Sequence, residues 1–295
     1  MRRFGAVLIV PVQAPFRLDL TADALRRLAS NAVDVVADGT LYRALQDARG
    51  TELVAVRSAA GAIEVRATGP DAKRWLPAIA RMLGTQVDLT RWYRRVRAIR
   101  WLEPLAVALR GLKPPRYPTL WEALAHAILF QQISIHAAAA IMRRAVERLG
   151  AVVEAGSVRC VAFPPAQRWL EASDAALREA GISANKIAHL RYAAGAIVDG
   201  AVSESQLQVL TTPEAAQRLC ALRGIGPWSA AVVLLRGMGR LDTFPLRDSG
   251  VARSLALLAG EAHVDQDALL ERLGDVRGML YYHLLLGRMR NLAPQ

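Results

Sequence analysis

Cysteine is nearly absent from this chain, with Cys160 and Cys220 alone among 295 residues. Two thiols this far apart in sequence exclude a disulfide framework, a four-cysteine iron–sulfur cluster and a multi-cysteine zinc site. A reducing compartment fits, so the expectation is a cytoplasmic protein, nucleoid-associated if bacterial. Long hydrophobic runs are also missing. The longest uncharged stretch, residues 123–142, contains His126, Gln131, Gln132, Ser134 and His136, too many polar groups for hydrocarbon. No membrane association is expected. The apolar run at residues 5–10 follows two arginines as a signal peptide would. Pro11 and Pro15 cut it short, so a first strand is the better reading. Lysine is scarce too, at Lys73, Lys113 and Lys186 only. There is no internal repeat and no low-complexity segment.

What the chain has is apolar and basic residues. A hydrophobic fraction of 53% supplies sizeable cores, and the length suits about two domains. Lys+Arg 38 against Asp+Glu 26 leaves +12, which points to a polyanionic partner or substrate. Residues 1–110 read as mixed α and β. Strand-like runs lie at 5–10, 34–37, 52–57 and 62–68, and helical patterns lie at 21–30 and 71–83, with Thr21 and Asp71 as N-caps. The basic run Arg91, Arg94, Arg95, Arg97 and Arg100 is either a solvated helix face or a phosphate contact. Pro114, Pro115 and Pro118 then interrupt the chain, so residues 111–118 are taken as a linker. Residues 119–295 read as almost entirely helical, with segments including 119–131, 134–149, 184–199, 212–220, 227–236, 249–259 and 276–290. The expected fold class is therefore α+β, an N-terminal α/β domain with a small antiparallel sheet followed by an all-α pair.

The informative stretch is Leu222-Arg223-Gly224-Ile225-Gly226-Pro227-Trp228-Ser229. An amphipathic helix ends, a Gly-Ile-Gly turn follows, and Pro227 opens the next helix. Glycines at the turn allow positive φ and close backbone approach. Free amides at Gly224, Gly226 and Ser229 form an anion site suited to phosphate. Twenty residues after Trp228 stands Asp248, within Thr243-Phe244-Pro245-Leu246-Arg247-Asp248-Ser249.

Together these pieces resemble the helix–hairpin–helix superfamily of base-excision DNA glycosylases. In that superfamily an aspartate about twenty residues beyond the hairpin tryptophan is catalytic, so the resemblance gives that role to Asp248. Capping the helix that begins at Ser249 is its alternative, or additional, role. Asp242 is the fallback carboxylate. Upstream, Phe130-Gln131-Gln132-Ile133-Ser134 resembles the element that wedges into the vacated base stack. Gln131 and Gln132 are thereby assigned to DNA binding, with Gln132 entering the gap where some relatives place leucine. A mixed domain ahead of the helical pair resembles the layout of the DNA-3-methyladenine glycosylase II type. That resemblance implies an aromatic base pocket, for which Trp228, Tyr282, Phe130 and Trp121 are candidates, alongside Tyr281. Val232 stands where the family suggests tyrosine, and Asp275-Val276-Arg277 where it has Pro-Trp-Arg.

Bifunctional members use a lysine near the hairpin as nucleophile. No lysine lies between the hairpin and Asp248, so the implied activity is monofunctional hydrolysis of alkylated purines such as 3-methyladenine from damaged double-stranded DNA. A different damaged base, oxidised or deaminated, is one alternative. A non-catalytic helix–hairpin–helix DNA-binding protein is the other. No cofactor is required on this reading. The resemblance adds one structural alkali-metal ion on the carbonyls of Cys220, Leu222 and Ile225. A monomer without an obligate protein partner is expected.

Overall fold

A computed structural model describes residues 3–260 and 264–292. Its N-terminal part is an antiparallel sheet of β1 (Leu8–Pro11), β2 (Asp34–Ala37), β3 (Thr40–Asp47), β4 (Gly50–Ala59) and β5 (Ala62–Ala67), ordered β1-β5-β4-β3-β2. Four of these five strands are legible from period and turn residues, and β3 is not. Its sequence carries Arg43, Gln46 and Asp47, and it is buried on both faces, so alternation between apolar and polar residues is lost. Helix Leu18–Arg26 and helix Leu76–Leu83 cover one face, where Leu25, Leu41, Val54, Val56, Ile63, Ile79 and Met82 form a common core. Thr21 is not the cap of the first of these helices. It lies inside the first turn, fully buried, with its hydroxyl donating to the Arg17 carbonyl.

The other sheet face meets the helical region. A short hairpin, β6 (Val152–Ala155) and β7 (Val158–Val161), was not expected amid the helices. Val153 and Cys160 from it pack against Ala44 and Leu53 of the sheet. Beside this contact Arg43 bonds Asp34 at 2.6 Å and Glu122 at 2.5 Å, all three nearly inaccessible to solvent. Glu122 belongs to helix Leu120–Leu129, so this ion pair ties the sheet to the helical part. Burial outweighs the attraction of a guanidinium shared with Asp34, and holds the Glu122 carboxyl up at about 7.

The helices build two cores. One is built from residues 117–238 together with Val33 of the N-terminal part, and includes Leu124, Ile128, Leu190, Leu219 and Val233. The second joins helix Thr90–Val96, which carries the arginine run on a helix face, and helix Leu102–Ala108, not expected from sequence, to helices Ser249–Ala259, Gln266–Leu273 and Gly278–Met289. Residues 89–112 therefore belong with the C-terminal helices rather than with the sheet.

The proline-rich stretch between them is no exposed tether. Leu112, Lys113 and Tyr117 are buried, the Tyr117 amide donates to the Arg236 carbonyl, and the Tyr282 hydroxyl donates to the Pro115 carbonyl. Proline forbids helix and ladder bonds but not burial in an extended path whose remaining polar groups find partners.

Candidate active site and nucleic-acid interface

Helix Thr212–Cys220 and helix Pro227–Val233 flank the Gly-Ile-Gly turn. Gly224 has φ +86°, and a Cβ there would lie 2.3 Å from the His189 ring, so only glycine fits. Ile225 is buried between the helices. Gly226 is different. Its φ of −97° suits any residue, and a Cβ would meet nothing within 4 Å. Of the two glycines, the backbone requires only the first. The second leaves open space in front of first-turn amides that have no intrahelical acceptor.

Facing the hairpin is the turn between helix Leu120–Leu129 and helix Ile135–Leu149. Gln131 donates its amide to the Gly224 carbonyl at 2.8 Å and to the Ser229 hydroxyl at 2.6 Å. This fastens the turn to the hairpin, so the Gln131 and Ser229 side chains hold each other rather than projecting outward. Lys186 donates to the Leu129 and Gln131 carbonyls, both at 2.8 Å, closing the helix end. Burial lowers its pKa. At the tip Gln132 is exposed with φ +57°, a left-handed conformation that costs about 1 kcal/mol or more for a residue other than glycine. Its neighbour Ile133 is also exposed. A braced turn holding a strained, projecting tip is the form a wedge requires.

Between turn and hairpin lies a cleft of about 1000 Å³ whose single lining carboxylate among the described residues is Asp248. One oxygen of Asp248 accepts from the amides of Gly250 at 2.8 Å and Val251 at 3.0 Å, capping helix Ser249–Ala259. The other accepts from the Trp228 indole at 3.0 Å. Cap and catalyst are thus compatible readings of one residue. The cap fixes the carboxylate, and the indole ties it to the hairpin. Asp242 does not line the cleft.

The expected aromatic pocket is corrected in part. Phe130 and Trp228 line the cleft, but Trp121 and Tyr282 do not. Trp121 is buried against Trp169, its indole donating to the Pro164 carbonyl. Tyr282 is fully buried beneath Arg236. On a helix, adjacent residues point about 100° apart, and it is Tyr281 that faces the cleft. Its hydroxyl accepts from Arg27 at 3.0 Å, and the Arg27 guanidinium lies over the Phe130 ring, 5.0 Å from its centre. No motif marks Arg27 in the sequence. It follows the last residue of helix Leu18–Arg26, at φ +62°, where Arg236 clasps the carbonyls of Ala24 and Leu25 at that helix end. Arg247, Arg253 and Arg288 also line the cleft, a concentration of charge suited to phosphate.

Residues 125–275, just over half of the chain, match the family described as HhH-GPD superfamily base excision DNA repair protein. The chain belongs to this superfamily. It is 30% identical over 171 residues to the DNA-3-methyladenine glycosylase of Bacillus subtilis (strain 168), covering 58% of this chain and 56% of that one. Alignments thus span about half the length of the curated relatives that it matches. A 3-methyladenine DNA-glycosylase from Archaeoglobus fulgidus superposes with a TM-score of 0.79 at 25% identity, over 97% of this chain and all of that one. The Clostridium acetobutylicum 8-oxoguanine glycosylase/lyase, solved with double-stranded DNA, superposes with a TM-score of 0.75 at 16% identity, covering 99% and 100%. That likeness is one of fold.

Within this HhH-GPD chain, the positions that depart from the family pattern divide, Asp275 being exposed in ion pairs with Arg91 and Arg95 and two valines being packed as core. Val232 and Val276 are buried and face no cleft. None of the three lysines lines the cleft either. Lys186 caps a helix, Lys113 donates to the Val87 carbonyl at 2.6 Å, and Lys73 stands exposed beside the sheet.

Proposed function

We propose that this protein is a monofunctional DNA glycosylase that flips an alkylated purine, such as 3-methyladenine, out of double-stranded DNA and removes it by hydrolysis. The carrying observation is the position of Asp248, the one carboxylate among the described residues that lines the cleft bounded by the phosphate-type hairpin and the braced turn. The hairpin amides and nearby arginines take the backbone phosphates, and Gln132 enters the gap left by the extruded base. The glycosidic bond breaks with its electron pair leaving on the base. The sugar is then an oxocarbenium-like cation, whose charge the Asp248 carboxylate offsets. Water adds through its oxygen to the sugar carbon while its proton passes to that carboxylate. The departing base, when not already protonated or alkylated to a cation, takes a proton from solvent. Strand cleavage by a Schiff base requires an amine at the opened sugar, and no lysine lines this cleft.

The hairpin carbonyls of Cys220, Leu222 and Ile225 are hard, neutral donors suited to an alkali ion rather than a transition metal. The Leu222 oxygen accepts from the Ile225 amide at 3.0 Å and keeps a second lone pair. An ion held there would add positive charge beside the phosphate.

The test is release of free base from duplexes carrying 3-methyladenine, with borohydride present in a parallel reaction. Base release that leaves an abasic, uncut strand and no trapped adduct is the expected result. A stoichiometric covalent adduct would falsify the monofunctional assignment, and DNA binding without any base release would favour the non-catalytic alternative.

A further inference from the structure

Backbone of positive φ is concentrated at the cleft. Among the described residues, five that are not glycine adopt it: Arg27, Asp38, Gln132, Arg247 and Asn291. Aspartate and asparagine tolerate this region, because a short polar side chain can bond to nearby backbone. The other three carry the cost without that relief, and all three line the cleft. Backbone strain of this kind persists chiefly at functional sites. Gln132 is the tip of the wedge turn, and Arg27 donates to the Tyr281 hydroxyl. Arg247 has no such account. At φ +58° it is exposed, with neither a hydrogen bond nor an ion pair among the described residues.

What the strain achieves is orientation. Along extended backbone, neighbouring side chains point to opposite sides. Asp248 is extended, at φ −79° and ψ 115°, yet Arg247 and Asp248 both line the cleft. The left-handed turn at Arg247 brings its guanidinium to the same side as the carboxylate. The two do not pair. Asp248 is taken up by the Trp228 indole and by the amides of Gly250 and Val251, which leaves the guanidinium free for another anion.

We infer that Arg247 clamps a phosphate of the extruded nucleotide, the same nucleotide whose sugar Asp248 faces. This rests on the glycosylase reading above. With Asp248 against the sugar carbon, the two phosphates joined to that sugar are the anions nearest to a long side chain rooted one residue away. A guanidinium offers a phosphate two parallel N–H donors. Neutralised in this way, it no longer opposes the positive charge that develops on the sugar. The clamp is a positioning device: it holds the sugar over Asp248 by its phosphate. Glycine at this position would relieve the strain and grip nothing.

The experiment measures affinity for a duplex holding a tetrahydrofuran abasic analogue, with each flanking phosphate replaced in turn by a neutral methylphosphonate. Wild-type protein is compared with Arg247→Gly, which suits the backbone, and Arg247→Lys, which keeps the charge. Arg247→Gly should melt no lower than wild type. In wild type, one of the two methylphosphonates should weaken binding about tenfold. Arg247→Gly should show that loss already on the unmodified duplex, and lose nothing further at that phosphate. Its slope of log affinity against log salt should be shallower by about one, and Arg247→Lys should keep the wild-type slope. If each methylphosphonate weakens Arg247→Gly as much as it weakens wild type, the clamp is overturned. Failure of the wild-type protein to release 3-methyladenine from a full duplex overturns the glycosylase reading instead, and the clamp's part in catalysis with it, whatever the coupling.

Discussion

The helical part and the N-terminal sheet part both face the cleft, but they are built on different ranges of the sequence. Hairpin and aspartate are set largely by residues within a few positions of one another, whereas the wedge turn is recognisable locally but braced from afar by Gln131 on the hairpin and by Lys186. Gly224 is required by its own φ, Pro227 by the first turn it occupies, and Asp248 by the helix it caps. The sheet's contribution is long-range. Arg27 meets Tyr281 across 254 positions, and Arg43 meets Glu122 across 79. Locally determined features can be read from sequence, whereas contacts between distant segments appear only when the chain is folded.

The largest effect is expected at the locally coded end. Asp248→Asn keeps a cap acceptor for the Gly250 and Val251 amides but removes the charge that offsets the cationic sugar. Base release should fall by roughly 10²–10³ or more, with the melting temperature little changed. Trp228→Phe removes the indole donor to Asp248 and trims the ring in the cleft wall while keeping an aromatic there, and should lower turnover by about tenfold through misorientation. If Asp248→Asn retains near wild-type turnover, the residue is a cap and nothing more, and the helical part loses its claim to the chemistry.

At the long-range end, Arg43→Met leaves Asp34 and Glu122 buried without their cation. Breaking a buried pair from one side costs about 3–5 kcal/mol, readable by urea unfolding. Because Arg43 joins the sheet to helix Leu120–Leu129, limited proteolysis of this variant should release the N-terminal part first. Loss of stability without that uncoupling would mean the sheet is held mainly by its apolar contacts with β6 and β7.

The two hairpin glycines sharpen the comparison within a single turn. Gly224→Ala forces a Cβ into the His189 ring and an L-residue into positive φ, which should cost about 1–3 kcal/mol. Gly226→Ala meets neither obstacle, so its stability should stay within about 0.5 kcal/mol of wild type. Duplex affinity should nevertheless fall, because the open space it fills lies in front of the phosphate-type amides. Unchanged affinity in Gly226→Ala would make the hairpin a purely structural turn.

How far each part was legible follows from these ranges. The strand and helix patterns at β2, β4, β5 and in most of the helical segments satisfy period and cap rules, and the structure has them. β3 escaped because a buried strand bearing an arginine shows no alternation. Helix Leu102–Ala108 and the inward face of helix Thr90–Val96 escape notice because a dense arginine run obscures Trp92, Val96 and Leu102, which pack into a core completed only by the C-terminal helices. Tyr282 and Tyr281 could not be ranked from sequence, since one helical step decides which faces the cleft. Gln131 was grouped with the outward residues of its turn, although its amide is spent on the hairpin.

The effect least visible in the wild-type protein is a pH dependence that the two parts partly hide from each other. His283, buried in the C-terminal core beside Trp92, is pushed down to about 4 by burial. Its folded-state value lies below its ordinary 6.5, so it withholds a proton that the unfolded chain would take. Stability is lost as pH falls from about 6.5 toward 4. Glu122 has the opposite sign. Its folded-state value, about 7, lies above the ordinary 4.5, so its contribution is complete below pH 4.5 and is lost as pH rises toward 7. Across pH 4.5–6.5 the Glu122 trend opposes that of His283 and of His126, whose buried ring is also held well below its ordinary value, so the wild-type protein loses stability on acidification less steeply than its histidines alone would make it. Glu122→Gln removes the opposing trend while keeping a group able to bond Arg43. The variant's unfolding free energy should then drop more steeply on acidification, by about 2 kcal/mol over that window relative to wild type. A variant whose profile parallels the wild type would mean that Glu122 is ionised throughout the window, its charge fully matched by Arg43.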